Sequence, residues 1–138
     1  MKREAKEPVV VRIDGEKGNE VVLDASTGTR REDSYTFDKV FDQEADQAAV
    51  FNEAVAPIVE QVARGMSCTL FAYGQTGAGK TYTMRGELNG SEQTHGVIQR
   101  SVGMLLKQLH EQDYTDISTH VSFLEVYNER LELSLIHI

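Results

Sequence analysis

The sequence contains a single cysteine, Cys68, among 138 residues, and this scarcity excludes an internal disulfide. The first residues, MKREAKEP, are charged and contain no apolar run of the kind that a signal peptide needs. A chain without a disulfide framework or a signal peptide is typical of a reducing intracellular setting. We interpret Cys68 as a small core residue rather than a reactive thiol, because it begins a short apolar run.

Long apolar stretches and an excess of basic residues are also missing. No stretch approaches the ~18–20 apolar residues that span a bilayer, so we predict no membrane span. Lys and Arg number 14 against 22 Asp and Glu, which gives a net charge of −8. Without a basic stripe, the chain is not expected to bind nucleic acid phosphates. The four histidines are scattered and share no metal-ligand spacing with Cys68, so a metal cage of these residues is not predicted.

Hydrophobic residues make up 40% of the chain, which is enough for a core. In residues 8–23, two β-branched runs flank a turn containing Gly15, Gly18 and Asn19, and this pattern predicts a β-hairpin. A polar loop, residues 24–33, follows. Residues 34–41, SYTFDKVF, predict a short strand and an apolar anchor with members Tyr35, Phe37, Val40 and Phe41.

Residues 46–64 have the apolar spacing of a helix. Asp46 is suited to cap its start, and Gly65 is suited to end it. Pro57 lies inside the segment and is expected to kink or split the helix. The predicted core face consists of Val50, Ala54, Val55, Ile58, Val59 and Val62.

The second half of the chain alternates strand and helix patterns. Residues 68–73, CTLFAY, predict a strand buried on both faces, as in a parallel sheet. Residues 85–96 predict a polar, mobile loop, and residues 117–127 predict another strand. Between them lies an amphipathic helix whose predicted core face consists of Ile98, Val102, Leu105, Leu106 and Leu109. The order strand, helix, strand indicates an α/β sandwich with a partly parallel sheet.

Residues 74–81, GQTGAGKT, fit the phosphate-loop pattern G-x-x-x-x-G-K-[ST] at every fixed position. Glycines let the backbone curl around phosphate oxygens, and the following helix points free N–H groups at the anion. Lys80 would supply a cation for the β- and γ-phosphates, and Thr81 a hydroxyl ligand for Mg²⁺. The structural alternative is a glycine turn that joins a strand to a helix, with Lys80 merely exposed.

Hydrolysis of a nucleotide needs groups that a phosphate loop does not provide. An Asp must hold the Mg²⁺ shell, another group must position water, and charge must be stabilised in the transition state. The predicted strand at residues 121–127 contains Glu125 rather than a terminal Asp. We interpret Glu125 as a structural partner of a cation or backbone group, and we predict no catalytic residue within the chain.

Four motifs, in order along the chain, resemble the kinesin motor domain. The segment FAYGQTGAGKTYTM is similar to the kinesin phosphate loop, and SFLEVYNER is similar to a later kinesin strand. SYTFDKVF looks like the strand and turn before the family's first large helix, and AVFNEAVAPIVEQVARGMSCTLFAYG looks like that helix and the next strand. The resemblance covers residues 34–130 well and residues 8–33 loosely. Myosin also carries G-A-G-K-T, but it has Glu-Ser where this chain has Gln75-Thr76.

The resemblance implies a microtubule-stimulated ATPase of the cytoplasm and cytoskeleton, with ATP and Mg²⁺ as cofactors and microtubules as partner. Thr81 would ligate Mg²⁺, and Tyr82 would lie near the adenine. Residues 85–96 would be the loop that lines an inhibitor pocket in mitotic kinesins. The SYTFDKVF wording points toward the mitotic, bipolar class and hence the spindle. The nucleotide-binding residues carried over are Gly74, Gln75, Thr76, Gly77, Ala78, Gly79, Lys80, Thr81 and Tyr82.

The expected fold class is α/β: a partial, three-layer P-loop NTPase sandwich with a mixed, mostly parallel central sheet and a small accessory hairpin. Residues 1–138 would be the N-terminal part of a kinesin motor domain. They divide into a charged lead (1–7), the accessory hairpin (8–23), the phosphate-loop half (34–132) and a tail (133–138) that we interpret as non-native.

Several positions depart from the family pattern. Arg12 stands without the second Arg and Pro of the family's first strand, which favours reading residues 8–23 as the accessory hairpin. Gln99 replaces a usual Pro, and Arg130 stands where a second Glu is common. Tail residues 133–138 do not continue the acidic Asp-Leu-Leu pattern.

The switch motifs Asn-x-x-Ser-Ser-Arg-Ser-His and Asp-Leu-Ala-Gly-Ser-Glu do not occur in the chain. We therefore expect these residues alone to bind ATP–Mg²⁺ weakly and not to hydrolyse it. One alternative is a non-motor nucleotide-binding or interaction module derived from this fold. Another is an unrelated P-loop NTPase, which would require the three flanking motifs to match by chance.

Overall fold

The computed structural model describes residues 11–13, 18–23, 33–87, 89–112, 116–127 and 130–137, with no side chains described at residues 123, 125–127 and 130–137. The predicted charged lead and nearly all of the polar loop at residues 24–33 lie outside the described residues. No helix within the described part of the chain is long and apolar enough to cross a membrane.

Three short strands form an antiparallel sheet in the order β1-β2-β3. They are β1 (Val11–Ile13), β2 (Glu20–Leu23) and β3 (Asp33–Thr36). The pairing of β1 with β2 is the hairpin that the sequence pattern predicts. Glu20 and Val22, two residues apart on β2, are the buried positions of this sheet, as the two-residue period of a strand requires.

The strand predicted within residues 34–41 is β3, and it ends at Thr36. Its aromatic members do not anchor the sheet as expected, since Tyr35 and Phe37 are 52% and 46% exposed. Val40 and Phe41 are half-buried. The anchor prediction is therefore wrong for the first two residues, because no described element covers Tyr35 on β3 or Phe37 just after it.

The first long helical segment is divided into α1 (Gln47–Val50), a π-helical turn (Phe51–Val55) and α2 (Ala56–Ala63). Asp46 caps α1 as predicted, with its carboxylate accepting from the Ala49 N–H at 2.7 Å. Pro57 lies in the first turn of α2, where its missing N–H costs no helical hydrogen bond. The preceding turn widens, and the Ala56 N–H donates to the Phe51 carbonyl five residues back.

The end of α2 is the glycine-terminated motif that the sequence predicts. Gly65 adopts a φ of +91°, and its N–H donates to the Val62 carbonyl at 2.9 Å. The Met66 N–H donates to the Gln61 carbonyl at 3.1 Å. These two hydrogen bonds satisfy carbonyls that the end of the helix leaves free.

The hydrophobic core lies between this segment and helix α4 (Val97–Glu111). Its buried members are Phe51, Val55, Val59 and Val97, with Ala56, Met104 and Leu105 packed against them. Two predicted core positions are wrong, since Ala54 is exposed and Ile98 is 41% exposed. The π-helical turn places an extra residue in one turn, and Phe51, which the sequence pattern does not predict as core, is buried there together with the predicted Val55.

The predicted buried strand at residues 68–73 is not a strand within the described residues. Phe71 and Tyr73 are 76% and 82% exposed, and Cys68 is exposed rather than in the core. A strand exists only where a neighbouring strand pairs with it, and none of the described strands lies beside this segment. The predictions of a buried strand and of a core cysteine are therefore wrong for this structure.

Two further strands form a second antiparallel sheet, β4 (His120–Tyr127) and β5 (Arg130–His137). The sequence pattern predicts β4, but three residues longer at its start. The tail that we interpret as non-native begins at residue 133. Its residues 133–137 belong to β5 and pair with β4. Every strand pair among the described residues is antiparallel, so the predicted parallel pairing is not present in this part of the chain.

Candidate functional site

The glycine-rich loop, residues 74–79, connects residues 66–73, which form neither helix nor strand, to the short helix α3 (Lys80–Arg85). Gly77 and Gly79 have φ angles of +85° and +89°, a left-handed conformation that other residues adopt with strain. A Cβ built on either glycine would meet no heavy atom within 4 Å. The loop therefore combines a backbone that needs glycine with open space beside it, as a cradle for an anion requires.

Lys80, the first residue of α3, folds back over the loop that precedes it. Its Nζ atom donates to the carbonyl oxygens of Gly74 and Gln75 at 2.8 and 2.7 Å. The Ala78 N–H donates to the Gln75 carbonyl at 3.2 Å, which closes the loop on itself. Among the described side chains, no carboxylate forms an ion pair with Lys80. The site thus presents a cation that anionic oxygens can approach.

Thr81 and Tyr82 follow on α3 with exposed side chains, and the Tyr82 ring is 50% exposed. The Thr83 N–H donates to the Gly79 carbonyl at 2.9 Å, which starts the helical ladder at the glycine. The hydroxyl of Thr81 is therefore presented one residue beyond Lys80, on the same exposed end of the helix. This donor set fits a nucleotide phosphate chain with its Mg²⁺.

The insert between α3 and α4, residues 86–96, has its two ends joined by hydrogen-bonded backbone. Gly86 and His95 form an isolated β-bridge, and a short 3₁₀ helix (Glu92–Thr94) lies just before His95. The guanidinium of Arg100 donates to the carbonyls of His95, Glu92 and Gln93 at 2.9, 3.0 and 3.2 Å. Sequence reasoning missed Arg100, because a lone basic residue after a loop has no distinguishing pattern.

Two glutamines that the sequence motifs do not mark also contact α3. The Nε2 atom of Gln47 donates to the Tyr82 carbonyl, and that of Gln99 donates to the Arg85 carbonyl. All nine residues predicted to bind nucleotide lie in one continuous stretch from the loop into α3. Glu125 lies on β4, away from any described contact with that stretch, and its side chain is outside the described residues.

Comparisons with known proteins give one consistent result. A family model described as the kinesin motor domain matches residues 1–134. Kinesin-like protein KIP1 of Eremothecium gossypii is 41% identical over 138 residues, which is 91% of this chain and 12% of that protein. Kinesin-like protein bimC of Emericella nidulans is 42% identical over 135 residues, or 94% of this chain and 11% of that protein. The chain therefore spans about a tenth of the length of these relatives.

Solved structures with the same fold are also kinesins. The structure of a fast kinesin matches with a TM-score of 0.78 and 32% identity, covering 94% of this chain and 36% of that one. The Drosophila kinesin Kin10/NOD, solved in complex with manganese and ADP, matches with a TM-score of 0.74 and 25% identity. That match covers 88% of this chain and 42% of the Drosophila one.

Proposed function

The chain belongs to the kinesin motor domain family, and we propose that it is the ATP-binding part of a motor that couples ATP hydrolysis to movement along microtubules. The observation that carries the proposal is the geometry of the glycine-rich loop. Left-handed glycines leave open space beside the loop, and the Lys80 ammonium lies against the same backbone. A triphosphate needs a cation and backbone N–H donors around its oxygens, and the open space beside the glycines leaves room for those oxygens next to Lys80.

Each predicted site residue has a role in this proposal. Residues 74–79 surround the phosphates, and Lys80 exchanges its loop carbonyls for the β- and γ-phosphate oxygens. Thr81 holds Mg²⁺, which when bound neutralises charge on the phosphate oxygens. Tyr82, with half of its ring exposed, lies near the adenine.

Hydrolysis requires more than these residues supply. A Mg²⁺-shell Asp and a water-positioning group are needed, and the switch motifs that provide them in kinesins do not occur in the 138 residues. We therefore propose that residues 1–138 bind ATP–Mg²⁺ weakly and do not hydrolyse it alone. The microtubule-stimulated ATPase belongs to the whole motor.

The whole motor is proposed to have a mixed, mostly parallel central sheet to which residues 68–73 contribute a strand. Two observations support this arrangement. Residues 68–73 carry exposed apolar side chains at Leu70, Phe71 and Tyr73. An apolar groove of about 200 Å³, between α2 and α4, is lined by Leu70 and Cys68 on one side. Strands that pair with residues 68–73 would cover both features.

The relatives at 39–46% identity include bimC, KIP1, cut7 and several proteins named KIN-5. These relatives agree with the interpretation of SYTFDKVF as typical of the mitotic, bipolar class. We propose that the whole protein acts on microtubules of the cytoskeleton, including the spindle.

The test is a nucleotide-binding measurement on the full-length protein and its Lys80→Ala variant. Titration with fluorescent ATP–Mg²⁺ should show binding to the wild type and none to the variant. Lys107→Ala is the matched control, because Lys107 is an exposed lysine on α4, outside the loop, whose ammonium lies 3.9 Å from the Glu111 carboxylate. Unchanged ATP affinity in Lys80→Ala would refute the assignment. A protein that binds ATP without microtubule stimulation would instead be the non-motor module.

A further inference from the structure

Helix α3 carries Lys80 and Thr81, yet its own packing does little to hold it in place. The helix has six residues, none of them buried, and it contributes no member to the hydrophobic core. An isolated helix shorter than ~12–15 residues is marginal in water. Three of its side chains, at Thr83, Met84 and Arg85, are only half-buried, so hydrogen bonds made to its backbone contribute to the orientation of α3 and of the two site residues on it.

The first such contact comes from Gln47. This residue opens α1, is only 6% exposed, and donates from Nε2 to the Tyr82 carbonyl at 2.7 Å. Its own position is fixed by the cap at Asp46, whose carboxylate accepts from Ala49. The Tyr82 carbonyl also accepts from the Gly86 N–H at 2.7 Å, so both of its lone pairs are used.

The second contact comes from Gln99. Gln99, in the first turn of α4, donates from Nε2 to the Arg85 carbonyl at 2.5 Å. Tyr82 and Arg85 both lie in the last turn of α3: the Tyr82 carbonyl accepts the Gly86 N–H as its helical hydrogen bond and Gln47 as a second partner, whereas Arg85 is among the last residues, whose carbonyls a helix leaves without an intrahelical partner. Two side-chain amides from two different helices thus satisfy carbonyls at the same end of α3.

We propose that Gln47 and Gln99 form a glutamine clamp that positions α3, and through it Lys80 and Thr81, for the bound nucleotide. The inference rests on the proposed function for its effect on nucleotide affinity. The clamp residues touch no substrate; they act through the backbone of α3. Because Phe51, which follows α1, and Val97, which opens α4 two residues before Gln99, are both core residues, the clamp connects α3 to the elements that flank the core.

The test replaces each amide with a side chain of similar length that cannot donate. The variants Gln47→Met and Gln99→Met are made in the full-length protein, singly and together. Gln108→Met is the matched control, because Gln108 lies on α4 like Gln99, and the Oε1 atoms of both are buried without a hydrogen-bond partner among the described residues, but Gln108 lines a groove beside α2 instead. Two quantities are measured: the dissociation constant of ATP–Mg²⁺ and hydrogen exchange of the amides of Thr83 to Gly86.

Each single variant should weaken ATP–Mg²⁺ binding by about fivefold to tenfold, the usual effect of one lost hydrogen bond. Exchange at the α3 amides should accelerate by a similar factor, while exchange in α2 and the middle of α4 stays at the wild-type rate. Gln108→Met should change neither quantity. The double variant should show at least the product of the two single effects.

The proposed clamp would be overturned if the double variant bound ATP–Mg²⁺ with wild-type affinity and its α3 amides exchanged hydrogen at the wild-type rate. So would equal loss of protection in α2, α3 and α4, since that result describes general destabilisation rather than positioning. If the wild-type protein bound no nucleotide, the proposed function would be wrong. In that case the exchange rates in α3 would by themselves support or overturn the clamp.

Discussion

Gly86 and Gly96 meet backbone to backbone at the base of the insert, so closely that a Cβ built on either would lie 2.5 Å from the nitrogen of the other. The bridge between Gly86 and His95 and the hydrogen bond from the Glu87 N–H to the Thr94 carbonyl, 3.2 Å long, lie beside this contact. The end of α3 and the start of α4 are therefore joined through positions that tolerate no side chain.

We predict that Gly96→Ala destabilises the protein by about 1–3 kcal/mol, the usual cost of an added methyl in a tight contact. Gly96 has a φ of −82°, which alanine adopts freely, so the loss reports the contact and not backbone strain. The free energy of unfolding in urea is the measurement. Gly103→Ala is the control, because a Cβ at that position of α4 would meet nothing within 4 Å. It should leave stability unchanged or raise it by up to about 1 kcal/mol; equal losses in both variants would contradict the contact.

The helix boundaries near the site follow from local chemistry, which is why the sequence predicts them. A capping carboxylate at Asp46, a proline at position 57 and a glycine at position 65 act on backbone groups within a few residues. The observed cap, split and terminus lie where these residues place them. The π-helical turn was not predicted, because its wider hydrogen bond is a compromise between Pro57 and the packing of Phe51 and Val55.

Asp46→Ala should cost about 1 kcal/mol of stability, because it removes the side chain that accepts from the Ala49 N–H. The thermal midpoint should fall by a few degrees, and circular dichroism should follow the change. Asp42→Ala is a useful comparison, since Asp42 also accepts a local backbone hydrogen bond, from Glu44, but begins no helix. If Asp42→Ala lowered the stability as much as Asp46→Ala, helix capping would not be the cause of the stability lost in Asp46→Ala.

The phosphate loop could be predicted from sequence because its chemistry resides in one continuous stretch. The contacts that hold it could not. Gln47 reaches the Tyr82 carbonyl across 35 positions of sequence, and Arg100 reaches carbonyls of the insert. A single glutamine or arginine has no pattern that distinguishes such a role. The prediction of a buried strand at residues 68–73 was wrong for a related reason, since a strand depends on partner strands that its own sequence does not specify.

Thr81→Ala should remove most of the effect of Mg²⁺ on nucleotide affinity. The hydroxyl of Thr81 is the proposed metal ligand, and its loss should weaken ATP binding about tenfold in Mg²⁺ but little in EDTA. Thr83→Ala serves as the comparison, because Thr83 lies on the same helix with a half-buried side chain. If Mg²⁺ strengthened ATP binding to Thr81→Ala as much as to the wild type, Thr81 would not be the ligand.

The reactivity of Cys68 tests whether residues 68–73 become a strand in the whole motor. Cys68 is exposed here, at the start of the segment that carries the exposed Phe71 and Tyr73. In the isolated chain of residues 1–138, its thiol should therefore react with a maleimide at nearly the rate seen in urea. In the full-length protein, paired strands on both sides should bury it and slow the reaction by on the order of a hundredfold, since labelling then requires local unfolding.

The rate at Cys68 is followed by mass spectrometry of the peptide that contains it, so that other cysteines of a longer protein do not interfere. Full labelling of both proteins in urea provides the reference rate. Fast labelling of the native full-length protein would show that residues 68–73 stay exposed there. That result would remove the support for a mostly parallel central sheet while leaving the phosphate loop, which has its own test at Lys80, unaffected.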